Sequence, residues 1–278
     1  MAPDPGVAVG KVRTFRVSEP RGPHPGSPRV STRAAYWARR LLNGVRKVGA
    51  GLRPFGESVW PGVRNDLFVA HASIYEFGSR FAQGARVLDA GCGTGYGAEI
   101  LVRNGAAHVH GVDVDPRSVA YARRHYGSDA TSFARADCER LILEEGSFDF
   151  VFASNVLEHL EHPELFVRSA VRSLRPGGRA LIALPPITSE ETAALHHDIH
   201  YHRSNRTVDS WLALLSSLPW TVALLAHVFK GPGPYPDFAS PFPTTLTASA
   251  FDVHETTLDA VRAATPITVL YLATKPAG

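Results

Sequence analysis

The sequence predicts an α/β fold built on a mostly parallel, doubly wound sheet, and two observations support this prediction. An apolar strand at Arg86–Ala90 runs directly into a glycine-rich loop at 91–97. Strand-like and helix-like patterns then alternate as far as Leu184. Because right-handed crossovers connect alternating strands and helices, such a chain forms a parallel sheet with helices on both faces. With 278 residues, 44% of them hydrophobic, the chain can bury the core that this sheet needs.

The individual elements follow from local hydrophobic patterns. Apolar residues at helical intervals predict a helix from Asn65 to about Ala82. The predicted strands are 86–90, 107–112, 131–135, 148–153, 179–184, 220–229 and 267–273. The predicted helices after the glycine loop are 98–103, 116–126, 163–174 and 208–218. Pro176-Gly-Gly178 should end the third of these helices, and five prolines predict a long surface loop at 231–250.

The first 64 residues differ in charge from the rest of the chain. They carry 12 Lys/Arg against 3 Asp/Glu, whereas the remainder carries 17 against 23. Residues 1–30 are rich in proline and glycine, and Arg33–Val48 has the pattern of a basic amphipathic helix. We therefore expect an arm at 1–64 and a domain at 65–278. The helix would dock on its own domain or form a homodimer contact, in preference to binding a membrane surface or nucleic acid.

The composition excludes several classes of protein. No run of eighteen apolar residues occurs, and the N-terminus lacks the basic and apolar pattern of a signal peptide. Cys92 and Cys138 lie inside motifs and not at disulfide-scaffold spacing, which suits a reducing compartment. We expect a cytoplasmic protein without a membrane span, in which both cysteines are small buried residues.

The glycine loop predicts a cofactor site. A glycine loop between a strand and a helix lets the backbone approach a ligand, and an acidic residue about twenty positions later suits ribose hydroxyls. Asp113 meets the second condition. Counting the dinucleotide pattern from Gly91, however, puts Tyr96 where the third glycine should be. A nicotinamide dinucleotide is therefore disfavoured.

Five segments in order resemble the motifs of the class I S-adenosylmethionine-dependent methyltransferase family, in particular its small-molecule members of the ubiquinone-biosynthesis type. These segments are Val87–Gly95, Gly111–Asp115, Arg135–Cys138, Phe148–Asn155 and Leu174–Gly178. The resemblance covers the chain from about Asn65 onward. It implies a Rossmann-like sheet of seven strands and S-adenosylmethionine as the cofactor.

The resemblance also implies which residues bind the cofactor. They are His71, Tyr75, Asp89, Gly91, Cys92, Gly93, Asp113, Val114, Asp137, Cys138 and Asn155. In this interpretation Asp113 binds the ribose, Asp137 reaches the adenine amino group, and Asn155 lies beneath the sulfonium. His71 and Tyr75 belong to the set because the helix before the glycine loop would cover the cofactor.

His159 is the first candidate for a catalytic base, because it follows the fourth strand near the opening of the cleft. Relatives of the ubiquinone-biosynthesis and small-RNA 2′-O-methyltransferase kind carry Glu-x-x-Glu-His here and use it for a divalent metal. This chain has Asn155 in place of the first Glu, which removes a charged ligand and argues against a metal. A purely structural role for Glu158 and His159 at the following helix is the alternative.

A second group of candidates is the histidine-rich segment His196–His202. No cysteine or carboxylate pair completes a typical zinc set there. In similar methyltransferases a histidine segment before the next helix faces the acceptor, so His200 and His202 are acceptor-site candidates. Exposed, solvated histidines are the alternative for His196 and His197.

Together these observations predict a methyltransferase that acts on a small molecule, most simply on a hydroxyl of a sugar-bearing or other specialised metabolite. The base would accept the hydroxyl proton while the site aligns the acceptor and excludes water. A scaffold that binds S-adenosylmethionine without methyl transfer, for example a cyclase, is one alternative. An RNA methyltransferase that uses the basic arm is the other.

Overall fold

The strands follow the predicted alternation. The computed structural model describes residues 45–52, 59–189, 192–193, 201–231, 235 and 244–278. Its strands are β1 Arg86–Ala90, β2 His108–Asp113, β3 Thr131–Arg135, β4 Phe148–Ser154, β5 Leu174–Leu184, β6 Thr221–Phe229, β7 Phe251–Glu255 and β8 Thr268–Thr274. They form one sheet in the order β3-β2-β1-β4-β5-β8-β6-β7.

Four of the six described helices begin at a polar side chain that caps them. They are α1 Asp66–Gly78, α2 Tyr96–Arg103, α3 Pro116–Tyr126, α4 Pro163–Ser173, α5 Val208–Ser216 and α6 Leu258–Ala263. The Asn65 side chain accepts a hydrogen bond from the Phe68 N–H at the start of α1. Asp115 caps α3 and Thr207 caps α5 in the same way. Each cap satisfies a backbone donor that the helix itself leaves unpaired.

The sheet is parallel from β1 to β5, and this arrangement places the site. Since β1 pairs in parallel with β2 and β4, and β4 in parallel with β5, the carboxyl ends of these strands meet at one edge. β8 lies antiparallel between β5 and β6. The predicted doubly wound, mostly parallel sheet is confirmed, with β7 as one more edge strand than the seven that were expected.

Apolar side chains cover both faces of the sheet. On one face α4 and α5 bury Phe166 and Trp211 against the strands. On the other face α1 and α2 bury Ile74 and Leu101 against Phe150 and its neighbours. Two buried faces explain why the central strands are continuous apolar runs and not alternating ones.

Two local details differ from the prediction. The fifth strand begins at Leu174 and not at residue 179, so Pro176-Gly-Gly178 forms an irregularity inside β5. Leu174 pairs with Phe148 and Arg179 with Phe150, which leaves the intervening residues bulged. The sequence interpretation also missed β7 and α6, which are only 5 and 6 residues long.

The N-terminal arm lies largely outside the described residues. Residues 45–49 are helical, which covers only the end of the predicted helix Arg33–Val48. Most of the predicted loop at 231–250 is likewise outside them. The homodimer contact through the arm and the boundary at residue 64 stay predictions. Among the described helices, none has the length and apolar character needed to cross a membrane.

Candidate functional site

The loop between β1 and α2 presents bare backbone at Gly93. Gly93 has a φ of +52°, and no atom lies within 4 Å of the position that a Cβ would take. Gly91 has the opposite surroundings, since a Cβ there would lie 2.3 Å from Cγ2 of Val156. The loop therefore packs tightly against the chain after β4 at Gly91 and leaves its surface open at Gly93.

Asp113 ends β2 beside this loop. Its Oδ2 accepts the Gly93 N–H at 2.9 Å, and its Oδ1 accepts the Asp115 N–H at 2.8 Å. Burial raises the pKa of Asp113. Each carboxylate oxygen can accept another hydrogen bond, and the neighbouring Val114 is 62% exposed. The edge of β2 thus offers two oriented acceptors beside an open apolar surface.

Asp89 is fully buried at the end of β1, beneath α1. The Tyr75 hydroxyl donates to its Oδ1 at 3.0 Å, whereas Oδ2 has no partner among the residues that the structure describes. Burial raises the pKa of Asp89 to about 7. A buried carboxylate oxygen without a donor is costly. It is the kind of group that a positively charged ligand satisfies.

Tyr75 fixes α1 over the carboxyl edge. Its ring stacks on Phe152, with centroids 4.2 Å apart. It also occupies the space beside α2, because a Cβ at Gly97 would lie 2.1 Å from the ring. A side chain at residue 97 would displace Tyr75. The last glycine of the loop is therefore required for the cover and not for the ligand.

Asn155 and His71 meet between the end of β4 and α1. Asn155 has a φ of +52°, the only positive φ of a non-glycine residue in the described part of the chain. Its Nδ2 lies 3.3 Å from Nε2 of His71. His71 keeps partial exposure, yet the protein atoms around it desolvate the ring and lower its pKa to about 4. The imidazole is therefore neutral at pH 7.

His159 is oriented by a backbone carbonyl. It lies in the 3-10 turn after β4, and its Nδ1 is 3.1 Å from the carbonyl oxygen of Tyr201. Because a carbonyl only accepts, Nδ1 carries the hydrogen and Nε2 is the nitrogen that can take up a proton. The His202 ring packs edge-on at 5.0 Å between centroids. The structure thus brings together two of the three predicted catalytic histidines.

Backbone hydrogen bonds hold the second histidine segment in place. The Glu158 carbonyl accepts the N–H groups of Arg203 and Ser204, at 2.7 and 2.9 Å. The third predicted catalytic residue, His200, lies outside the described residues, as do 196 and 197. Only the C-terminal end of the histidine segment can therefore be placed at the cleft.

Comparison with known proteins identifies the fold and its central motifs. Residues 88–182 match a methyltransferase-domain family. This part of the chain is similar to class I S-adenosylmethionine-dependent methyltransferases.

Curated proteins similar to the chain include several from bacteria. A probable S-adenosylmethionine-dependent methyltransferase of Mycolicibacterium smegmatis is 36% identical over 132 residues, which are 47% of this chain and 50% of the relative. The ubiquinone biosynthesis O-methyltransferase of Methylocella silvestris is 41% identical over 104 residues, 37% of this chain and 40% of the relative. The chain thus spans half or less of the length of these relatives.

Solved structures share the fold at low sequence identity. A putative methyltransferase in complex with the Trm112 methyltransferase activator of Haloferax volcanii has a TM-score of 0.58 at 21% identity, over 76% of this chain and 91% of that one. The [4+2]-cyclase SpnF has a TM-score of 0.56 at 18% identity, over 88% and 96%. At these identities the likeness shows the fold alone.

The residues at the carboxyl edge fit the cofactor of this family, S-adenosylmethionine. The unsatisfied Asp89 Oδ2 suits its ammonium group, and Gly93 leaves room for close backbone approach. Asp113 suits the ribose hydroxyls, and the exposed Val114 suits the adenine face. In sequence order, Asp89, Asp113 and Val114 thus match the charge, the hydrogen-bonding groups and the apolar surface of the cofactor.

Three other predicted cofactor residues lie beside these. Cys92 and Cys138 are buried, and burial raises the pKa of the Cys138 thiol to about 12. Such thiols pack and do not react as thiolates at neutral pH. Asp137 is half-buried, and its Oδ1 accepts the Glu139 N–H at 3.0 Å. That bond caps the short turn after β3 and leaves Oδ2 near Arg140 at 3.7 Å.

The site does not complete the metal set that the resemblance implies. Ligand atoms of Glu158, His159 and His202 lie within 4.8 Å of one another. Asn155, which replaces the expected glutamate, instead bonds to His71 on α1. Among the described residues, the donor set therefore lacks its second carboxylate.

Sequence reasoning missed one part of the site, the segment just before α1. The Thr94 hydroxyl of the glycine loop donates to the Val59 carbonyl at 2.9 Å. This bond holds the residue before Trp60 at the glycine loop. The only sequence signal was the turn sequence Trp60-Pro-Gly62, which gives no indication of its partner.

Proposed function

We propose that this protein transfers the methyl group of S-adenosylmethionine to a hydroxyl of a small acceptor, a sugar-bearing or other specialised metabolite, in the cytoplasm. His159 is the observation that carries the proposal. It follows β4 at the carboxyl edge, and the Tyr201 carbonyl fixes its tautomer. A hydroxyl acceptor needs a proton acceptor in this position, whereas a cofactor scaffold does not.

Each residue of the site has a defined task in this proposal. When bound, the cofactor supplies a methyl group activated by positive sulfur. Asp89 would pair with its ammonium group and Asp113 with its ribose hydroxyls. His159 Nε2 accepts the acceptor's proton as the oxygen attacks. Such positioning lowers the activation barrier for methyl transfer mainly because the entropy of aligning the reactants is already lost on binding.

The helix α1 contributes by excluding water and by offering uncharged polar groups. His71 is neutral at pH 7, and Asn155 is an amide, so both can hydrogen-bond an alcohol without attracting a charged acceptor. The relative from Methylocella silvestris is named an O-methyltransferase, which supports oxygen as the target atom. A relative from Triticum aestivum is named phosphoethanolamine N-methyltransferase, but the match covers only 23% of it.

The proposal is tested with labelled S-adenosylmethionine and a panel of glycosides, polyketides, phenols, amines and carbon acids. Methyl transfer to a hydroxyl acceptor is expected. Cofactor binding without transfer to any oxygen, nitrogen or carbon acceptor would assign a scaffold instead. Transfer to RNA that depends on residues 1–48 would support the nucleic-acid alternative.

A further inference from the structure

The segment before α1 is attached directly to the glycine loop. Thr94 is fully buried within that loop, and its hydroxyl donates to the Val59 carbonyl at 2.9 Å. On its other side, the Val63 N–H bonds to the Trp60 carbonyl at 3.0 Å. The backbone of Trp60 is thus held between two hydrogen bonds, next to the loop that carries the cofactor.

The indole of Trp60 is held in one orientation. The ring folds back over Gly62, where a Cβ would lie only 2.2 Å from Cζ2 of the indole. It meets the Tyr121 ring of α3 edge-on, with centroids 6.4 Å apart and planes at 89°. Only glycine at position 62 permits this fold of the chain. The ring therefore has a defined position between Gly62 and Tyr121 of α3.

The indole N–H has no acceptor in that position. Nε1 of Trp60 is shielded from solvent and has no hydrogen-bond partner among the described residues. Trp220 shows the usual arrangement, because its Nε1 donates to the Leu215 carbonyl at 2.7 Å. An indole N–H can only donate, and a buried donor without an acceptor is unfavourable. The indole N–H of Trp60 would therefore be stabilised by a hydrogen-bond acceptor, and none of the described residues provides one.

We propose that the Trp60 N–H donates a hydrogen bond to the methionyl carboxylate of the bound cofactor, an assignment that rests on the cofactor of the proposed function. The carboxylate is an anionic acceptor at the same end of S-adenosylmethionine as the ammonium group. Asp89 takes the ammonium group from the β1 side of the loop. Trp60 lies on the side of the loop where Thr94 contacts Val59. In this proposal the ammonium and the carboxylate of the methionyl group are bound by different residues, Asp89 and Trp60.

The test compares the binding of two ligands, S-adenosylhomocysteine and 5′-methylthioadenosine, to wild type and to one variant. Trp60→Phe keeps an aromatic ring and removes only the donor. S-adenosylhomocysteine carries the carboxylate, whereas 5′-methylthioadenosine lacks the whole amino-acid part. By calorimetry we expect W60F to weaken S-adenosylhomocysteine binding roughly tenfold, as for a hydrogen bond to a charged group. Binding of 5′-methylthioadenosine should change less than about twofold.

Two measurements control for structure. Trp220→Phe removes an indole that already has its acceptor, so its affinity for S-adenosylhomocysteine should match wild type. In ¹⁵N-tryptophan spectra, the indole N–H signal of Trp60 is assigned as the one that is absent from W60F. In wild type this signal should move downfield when S-adenosylhomocysteine is added, and it should not move with 5′-methylthioadenosine. Thermal unfolding of unliganded W60F verifies that the variant is folded.

The outcomes separate this inference from the proposed function. Equal losses for both ligands would assign Trp60 to ring packing and overturn the inference. Unchanged binding of both ligands by W60F would overturn it while leaving the cofactor intact. If wild type bound neither ligand, the cofactor assignment of the proposed function would fail, and the inference with it.

Discussion

The two halves of the carboxyl edge are built in different ways. On the β1–β3 side, hydrogen bonds between neighbouring motifs set the geometry. The Gly93 N–H, for example, donates to the carboxylate of Asp113, 20 residues away in sequence. On the β4 side, His159 is oriented by Tyr201, 42 residues away. We call the β1–β3 side the cofactor half and the β4 side the acceptor half, after the roles proposed for them. The geometry of the cofactor half depends on local motifs, whereas that of the acceptor half depends on how distant segments pack. The two halves should also fail separately when residues are changed.

The largest expected effect is on the acceptor half. His159→Ala should lower kcat by roughly 10²–10³, since general base catalysis typically contributes about 10²–10⁴. The dissociation constant of S-adenosylhomocysteine should stay within twofold, as measured by calorimetry. Steady-state kinetics with the identified acceptor gives kcat.

His162→Gln is the matched control for this change. His162 lies three residues further on, is exposed, and its ring pairs with Glu164 at 3.5 Å. Its kcat should equal that of wild type. If His159→Ala instead weakened cofactor binding and kept kcat, the division of the edge into two halves would be wrong.

The next effect is on the cofactor half. Asp89→Asn should weaken S-adenosylhomocysteine binding by roughly 10- to 100-fold, because it removes a charge-assisted bond to the ammonium group. Asp252→Asn, an exposed carboxylate on β7 that contacts His254, is the control and should bind normally. Calorimetry at pH 7.5 measures both. Normal binding by the Asp89 variant would refute the ammonium assignment.

The cover of the cofactor half gives a smaller effect. Gly97→Ala places a Cβ 2.1 Å from the Tyr75 ring, so α1 must shift. We expect a loss of about 1–3 kcal/mol in the free energy of unfolding, as for other overpacked sites. Gly49→Ala, a helical position where the added Cβ meets nothing within 4 Å, is the control and should not lower the melting temperature. Equal melting temperatures for both variants would contradict the Tyr75–Gly97 fit.

The smallest effect is a pH dependence confined to the cofactor half. The pKa of Asp89 is raised to about 7 in the unliganded protein, and only its ionised form pairs with an ammonium group. Affinity for S-adenosylhomocysteine should therefore rise several-fold between pH 6 and about pH 7.5, below the pKa of an α-amino group. Calorimetry across this range measures it, and D89N should remove most of the slope.

The raised pKa of Asp89 affects the stability of the unliganded protein in the opposite direction, because stability falls as the pH rises while affinity increases. A carboxyl whose pKa rises on folding contributes stability that is present below the unfolded pKa, and this is lost as pH rises through about 7. Unliganded wild type should therefore lose this contribution between about pH 4 and pH 7, while D89N should not. Melting curves at the two pH values would show a larger drop for wild type, and equal drops would contradict the raised pKa.

Much of the cofactor half could be predicted from the sequence. The bounds of β1, β3 and α3 match the expected ones. A glycine ends β1, and a capping aspartate, a proline and a glycine bound α3. Asp113 was placed correctly at a strand end because strand length and loop length are short-range properties. The resemblance then supplied the cofactor.

The acceptor half and the far edge could not be predicted in the same way. Asn155 was expected beneath the cofactor, but its contact with His71 on α1 depends on tertiary packing. β7 alternates Phe251 and Val253 with polar residues, yet 5 residues of alternation are too few to distinguish a strand from a loop. The pairing of Val59 with Thr94 leaves no local signal at all.

The position of β8 has a consequence for the order in which the chain assembles. β6 comes earlier in sequence than β8, but in the sheet it reaches β5 only through β8. Until residues 268–274 are inserted, the β6–β7 hairpin has no strand to join, and the edge of β5 stays open to other chains. Synthesis from the N-terminus thus completes the parallel strands first and leaves the closing step to the last strand. Slow insertion of β8 would expose the nascent protein to aggregation at β5.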